Sequence, residues 1–452
     1  MGGDPMIRPS MTRRRFAARS TLAAASALIV PRHVLGQGAK APSDKLRLAF
    51  IGVAGRGGAN RDGLKGETCI ALADANKVFL EKAAKDYPDA RVFQDYRKML
   101  DAVGKDLDGV VVSTPDHTHA VALMAAMKLG KAVYSEKPLA HSIYEVRTLM
   151  KTAQERKIPT QLGNQGHSSD TIRSFCEWVW DGAIGRIHTI HAGCQSVYSA
   201  IGSLGKTGEK HEVPAHLDWD LWIGPAAMRP YNPMYEPGRW RSWSPFGTGV
   251  IGDWICHVVD PVFWALDLGA PVSVKAEAEG YDPVKHADTY PRGSKVTFQF
   301  AARGARGPVT LVWHDGEVPI PRPPELKDDK KFPGIGAVVL GEKGGIVYGS
   351  HGAGGLRLFP EDLAKEYKYP AKKLPRPRSH HDDWVQAVKN RSHMAGSNFD
   401  YGGPLTELAL LGNIAYRYLG QELKWDGKAG KITNVAAANA HVKPEFRMGW
   451  TL

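Results

Sequence analysis

The chain commits itself early, where an apolar run meets a cluster of glycines. Leu46-Arg47-Leu48-Ala49-Phe50-Ile51 reads as a short strand, and it runs directly into Gly52-Val53-Ala54-Gly55-Arg56-Gly57-Gly58. Glycines at a strand end permit a tight turn and let the next helix start close against the sheet. The spacing G-x-A-x-x-G keeps the first and third glycines of the dinucleotide-binding fingerprint, with Ala54 at the second. Backbone approaches a pyrophosphate at that second position, so Ala54 removes clearance that Gly55 and Gly58 are placed to restore. A second strand, 68–73, ends in Asp74, 22 residues after Gly52. An acid there hydrogen-bonds the adenosine ribose and disfavours a 2′-phosphate, which predicts NAD over NADP. A helix N-cap is the plainer role for the same residue.

The next units keep the rhythm: helix 77–87, strand 91–93, helix 95–100 and strand 107–113. That last strand ends in Thr114-Pro115-Asp116-His117-Thr118-His119, and a helix over 120–129 leads to a buried strand at 130–134. Such alternation predicts an α/β class, with a doubly wound parallel sheet over 46–165. Glu136-Lys137-Pro138 then lies at a strand carboxyl end, on the same rim as the glycine loop and Thr114-Pro115. Pro138 biases Lys137 towards an extended conformation, so the ammonium projects from a rigid corner. The cofactor-binding set expected on this rim is Gly52, Ala54, Gly55, Arg56, Gly57, Asp74, Thr114, Pro115, His119 and Glu136. His117 and His119 either face the nicotinamide or cap the helix that follows.

Beyond residue 165 the character changes. Eight of the twelve tryptophans fall between Trp178 and Trp264; indoles suit sugar C–H faces but also build cores. The run from Phe246 to Gly252 is glycine-rich, which suits close approach of backbone to a ligand. Asp253, His257 and Asp260 follow at i, i+4 and i+7, one face of a helix. Polar groups on a buried face need a reason. Catalysis, a satisfied hydrogen-bond cluster and a metal pair with a single histidine all remain open; the metal reading has the least support, and none is expected.

Composition narrows the class. Formal charge is +12 over 452 residues, but half of the excess lies in the first 40, and no basic-aromatic stripe points to nucleic acid. Thr12-Arg13-Arg14-Arg15-Phe16 followed by the uncharged stretch 21–30 reads as a twin-arginine export signal (1–36), with a cleavage site near Gly36 and a polar linker over 37–45. The expectation is a periplasmic or otherwise exported protein with no membrane span after processing. Cys69, Cys176, Cys194 and Cys256 show no C-x-x-C spacing and read as small buried hydrophobes.

The glycine loop, Ser113-Thr114-Pro115 with His117 and His119, Glu136-Lys137-Pro138, and Phe246-Gly247-Thr248-Gly249 leading to Asp253 and His257 together resemble the Gfo/Idh/MocA oxidoreductases over roughly 46–420. Tyr231-Asn232-Pro233 and the export signal place the likeness nearest to their twin-arginine-bearing bacterial members. The resemblance implies a Rossmann domain followed, over 166–420, by an α/β domain with an open, mostly antiparallel sheet. One face of that sheet covers the active site and the other pairs subunits into a homodimer or homotetramer. Stretches 272–279, 295–301, 309–314 and 345–348 read as its strands, 379–419 as helices packing back near it, and 421–452 as a tail. The catalytic roles carried over fall on Lys137, Asp253 and His257. On that reading NAD takes a hydride from a secondary carbinol of a sugar, glycoside or cyclitol. His257 is the general base, tuned near neutral pH, Asp253 orients it or binds a neighbouring hydroxyl, and Lys137 stabilises the alkoxide. Gln165, His216, Tyr231, Arg239 and Trp240 are the expected substrate contacts. An NAD-dependent glycosidase that borrows and returns the hydride, and a non-catalytic carbohydrate-binding protein, are the alternatives.

Overall fold

The computed structural model describes residues 44–327 and 332–452; the twin-arginine segment and residues 37–43 of the linker lie outside them. The first sheet holds β1 (Arg47–Ile51), β2 (Thr68–Ala73), β3 (Arg91–Phe93), β4 (Gly109–Val112), β5 (Ala132–Ser135) and β6 (Thr160–Leu162). All pair in parallel, in the order β3-β2-β1-β4-β5-β6. Winding reverses between β1 and β4, so the loops after those two strands diverge and open a crevice at the carboxyl edge. β4 and β5 are buried along their whole length, as strands covered by helices on both faces must be. This is the doubly wound sheet expected over 46–165.

The second sheet is mixed and mostly antiparallel. It contains β7 (Ile187–Cys194), β8 (Ser273–Glu277), β9 (Gly293–Phe300), β10 (Val309–Gly316), β11 (Ile335–Gly341), β12 (Gly344–Gly349), β13 (Arg357–Phe359), β14 (Leu423–Asp426) and β15 (Lys431–Ile432). Their order is β13-β12-β11-β7-β10-β9-β8-β14-β15, and among the described residues only β7 and β10 run parallel within it. Two expectations need correction. Segment 421–452 is no detached tail, because β14 pairs with β8 through Leu423 and Val274. The helix His380–Lys389 does not join the substrate domain either. Its Trp384 is fully buried in the nucleotide domain's own core with Leu48, Phe50, Val111 and Tyr134, edge-on to Tyr134 at 5.9 Å. A methyl on Gly109 would meet that indole at 2.9 Å, so a late segment closes an early sheet. Removing the indole costs about 3–5 kcal/mol by loss of burial and cavity formation.

The helix Phe399–Ala415 ties the halves together. Its Glu407 accepts two bonds from the Arg147 guanidinium, at 2.8 and 2.9 Å. All four cysteines are free, three of them buried and Cys69 half-buried. No helix among the described residues is long and apolar enough to cross a membrane.

Candidate active site

A single cavity of about 1070 Å³ runs along the crevice from Asp74 to His257. At one end the glycine loop shapes it. Gly52 has φ +79°, and a Cβ there would lie 2.7 Å from the Ser113 carbonyl; on Gly57 it would lie 2.0 Å from the Gly52 oxygen. Only glycine fits either position. Gly55 is the N-cap of the helix Arg56–Gly63, at φ +53°, with open space where its Cβ would be. The clearance that Ala54 withholds is therefore supplied one residue later. Asp74 accepts the Val53 N–H and the Asn76 N–H, each at 3.0 Å. Burial nonetheless pushes its carboxyl up to about 6. The Thr114 hydroxyl is buried without a partner on the wall of this same cavity. A cradle with no room for side chains, an unpartnered hydroxyl and a half-buried acid fit a dinucleotide.

Lys137 stands between the two ends, carried there by β5. Its ammonium forms an ion pair with Asp253, from the helix Gly249–Val258. Asp253 also accepts the Tyr198 hydroxyl at 3.0 Å and Arg241 Nε at 3.3 Å. Burial alone would raise this carboxyl, but Lys137 and Arg241 overcome it and hold it well below the usual carboxylate range. Asp253 is thus a fixed anion that organises two cations and a phenol, and it does not orient His257. The Tyr198 phenol is pushed up to about 12 by burial and by that carboxylate, so it stays a donor.

His257 lies one turn on and lines the cavity, with Nδ1 buried and unpartnered. Its ring stacks on His351 at 4.4 Å. The expected tuning to neutral pH does not hold: burial first, then Lys137 and His351, push it well below 6.5. A neutral imidazole is what a proton acceptor must be, but this one is a weak base. Asp260 leaves the helix face assigned to it. Pro261, lacking an N–H, starts a new helix, Asp260–Ala265, and Asp260 turns away to accept from Asn164 at 3.1 Å and pair with His167 at 2.9 Å. The glycines before Asp253 also serve the protein. Cβ atoms on Gly247, Gly249 and Gly252 would strike Arg241, Tyr290 and Thr248, and none of the three lines the cavity.

The other expected contacts divide. Gly52, Ala54, Gly55, Arg56, Thr114, Pro115, Glu136, Gln165 and Trp240 line the cavity, while Gly57 supports it from behind. Glu136 is held by Arg56, Asn60 and Gln165, whose bonds to one oxygen span 2.9–3.2 Å. His119 does not face it. Its ring nitrogens lie 2.8 Å from the Pro138 and Thr114 carbonyls, so it braces the two loops that carry Lys137 and Thr114. His117 is likewise clasped between the Phe246 and Trp222 carbonyls. His216 and Arg239 are exposed and outside the cavity, and Tyr231 packs edge-on to Trp219 at 5.2 Å. Tyr198, Arg241, His351 and Glu236 went unread, since each lies in loop sequence without a motif. Three of the eight clustered tryptophans, Trp222, Trp240 and Trp254, reach the site.

Two family models match the chain. Residues 46–163 match the oxidoreductase family's NAD-binding Rossmann fold, and residues 190–306 match its C-terminal α/β domain. Among curated proteins, levoglucosan dehydrogenase of Pseudarthrobacter phenanthrenivorans is 28% identical over 26% of this chain and 29% of its own length. Inositol 2-dehydrogenase of Rhodococcus jostii is 33% identical over 33% of this chain and 42% of its own. A glycosyl hydrolase family 109 protein of Stenotrophomonas maltophilia is 27% identical over 41% and 42%. The alignments therefore span less than half of each relative. Among solved structures, the WlbA dehydrogenase of Bordetella pertussis with NADH and UDP-GlcNAcA has a TM-score of 0.57, 17% identity, and coverage of 84% of this chain and 99% of that one. A levoglucosan dehydrogenase with NADH and levoglucosan has 0.55, 17%, 84% and 99%. These likenesses establish the fold.

Proposed function

Because the chain belongs to the Gfo/Idh/MocA family of NAD-dependent oxidoreductases, we propose that it oxidises a secondary hydroxyl of a sugar, glycoside or cyclitol. The observation that carries this is the Lys137–Asp253 pair beside the unpartnered Nδ1 of His257, in one cavity with the glycine loop. Bound NAD supplies the hydride acceptor. The chain's residues do the rest: Lys137 presents its ammonium to the oxygen that gains charge, and Asp253, Arg241 and Tyr198 fix its direction. The neutral His257 imidazole lines the cavity and accepts the hydroxyl proton on the ring nitrogen that carries the lone pair. Trp240 and Trp254 offer apolar faces to a ring substrate.

A second reading, hydrolysis with the hydride abstracted and returned, draws support from the family 109 relative. Export by the twin-arginine route and assembly through the second sheet complete the proposal. An exported enzyme meets no nicotinamide pool, so the cofactor leaves the cytoplasm bound, and its hydride is either returned to the substrate or passed to a second carbohydrate that acts as acceptor. The test is incubation of purified protein with a panel of glycosides and cyclitols, recording cofactor absorbance and released aglycone together. Keto-sugar formed together with reduced cofactor, or together with a reduced second carbohydrate, supports the oxidoreductase; aglycone release without either supports the hydrolase. Neither signal on any substrate would overturn both. Native mass spectrometry of protein purified without added nucleotide tests retention, and a wholly apo population would sink it.

A further inference from the structure

The substrate domain also reaches the far end of the cleft. Residues 214–241 cross to the nucleotide-binding domain and are stitched to the loop that follows Asp74. The Lys77 N–H donates to the His216 carbonyl at 2.8 Å and the Asp218 N–H to the Ala75 carbonyl at 3.0 Å, while Asn76 and Leu217 form an antiparallel bridge. The C-terminal segment holds this strap from outside. Arg447 Nε donates to the Gly224 carbonyl at 2.9 Å, its guanidinium pairs with Asp220, and Arg97 of the nucleotide domain lies over Trp450 at 4.8 Å. The stitches begin one residue past Asp74, so backbone hydrogen bonds set the strap's place beside it. Trp222 and Glu236-Pro237-Gly238 of the strap then line the same cavity as Asp74, Val78 and Phe79.

We infer that Glu236 is a second ribose-binding carboxylate, contributed by the substrate domain, which with Asp74 excludes a 2′-phosphate and slows dinucleotide release. This rests on the reading of the cleft as an NAD site. Each Asp74 oxygen already accepts one backbone N–H and keeps room for one more donor. A ribose diol brings two hydroxyl donors. Asp74 holds one backbone N–H on each oxygen and Glu236 faces the Trp222 side chain, so both acids keep acceptor capacity for them. Burial first, and then the charge of Asp74, push the Glu236 carboxyl up to about 7. A 2′-phosphate would replace a donor with roughly −1.5 to −2 charges facing both acids, a repulsion that one carboxylate alone would apply only in part. Release requires the strap to part from residues 75–77, so escape is slower than from an open crevice.

The experiment uses the full-length protein freed of nucleotide, with NADH and NADPH affinities read by energy transfer from tryptophan and off-rates by stopped-flow displacement. Glu236→Ala is expected to weaken NADH about tenfold, speed its release to a similar degree, and narrow the NADPH-to-NADH ratio by about tenfold or more. Glu236→Gln keeps the shape and removes the charge, and should tighten NADPH while moving NADH only a few-fold. A thermal melt on each variant separates these effects from misfolding. If both variants keep the wild-type ratio and off-rate, the inference is overturned. Wild-type protein that binds neither nucleotide would instead overturn the reading of the cleft, a distinguishable outcome.

Discussion

The two ends of the cleft are built by opposite means. At the cofactor end, shape comes from residues close in sequence: Gly52, Gly55 and Gly57 fold a turn that only glycine can make, and Asp74 closes the next strand. At the reacting end, four separate segments bring Lys137, Tyr198, Arg241 and Asp253 into one charged cluster, its ion pair joining residues 116 positions apart. Steric exclusion governs the first and paired charge the second. A local rule therefore predicts the glycine loop and Asp74, while only the packing of two domains brings the 214–241 strap to that end and assembles the other.

Substitutions can separate these two regimes. Lys137→Ala should lower kcat by about 10²- to 10⁴-fold while NADH affinity stays within a few-fold, measured by steady-state kinetics and fluorescence titration. Activity within a few-fold of wild type would remove Lys137 from the chemistry. Gly57→Ala tests the steric end, because a Cβ 2.0 Å from the Gly52 oxygen forces the loop open. Calorimetry should show NAD affinity reduced about a hundredfold or more, a loss of roughly 2.7 kcal/mol or more. Arg241→Met leaves Asp253 with one cation, and kcat should fall about tenfold with a smaller change in KM.

The pH profile sharpens the same contrast. His257 is pushed well below 6.5, and a base must be unprotonated to act. Activity at saturating NAD is therefore retained as pH falls through 6.5, and the acid limb of kcat/KM lies below that value. A midpoint at 6.5 would take the proton transfer away from His257 and also from His351, which burial and Lys137 likewise push below that value. The smallest effects are expected at His216 and Arg239. Both are exposed outside the cavity, and their alanine variants should change KM less than twofold across the active sugars.

Legibility followed the range of the interactions. Strand-glycine-helix-strand-acid reads directly because each step obeys local geometry, and Glu136-Lys137-Pro138 reads because proline fixes its own corner. Spacing puts His119 on the cofactor rim, facing the nicotinamide or capping a helix, and Asp260 on one helix face with Asp253 and His257. The first is captured by the Pro138 and Thr114 carbonyls. The second is turned aside at Pro261 into a pocket with His167. Pro261 was a visible signal for the helix break; nothing local announced Arg241, Tyr198 or Glu236.

Resemblance to the family pointed to Lys137, Asp253 and His257, but what the amino-acid order determined by itself is the first sheet and its dinucleotide loop. Steric rules over a few neighbouring residues leave the backbone little choice there. What the tertiary structure alone decided is the electrostatic state of those residues. Asp253 is strongly acidic because Lys137, 116 positions away, meets it, and His257 is weakly basic because it is buried with Lys137 and His351 beside it. Charge acts through space and desolvation depends on everything packed nearby, so neither can be read from the order of residues along the chain.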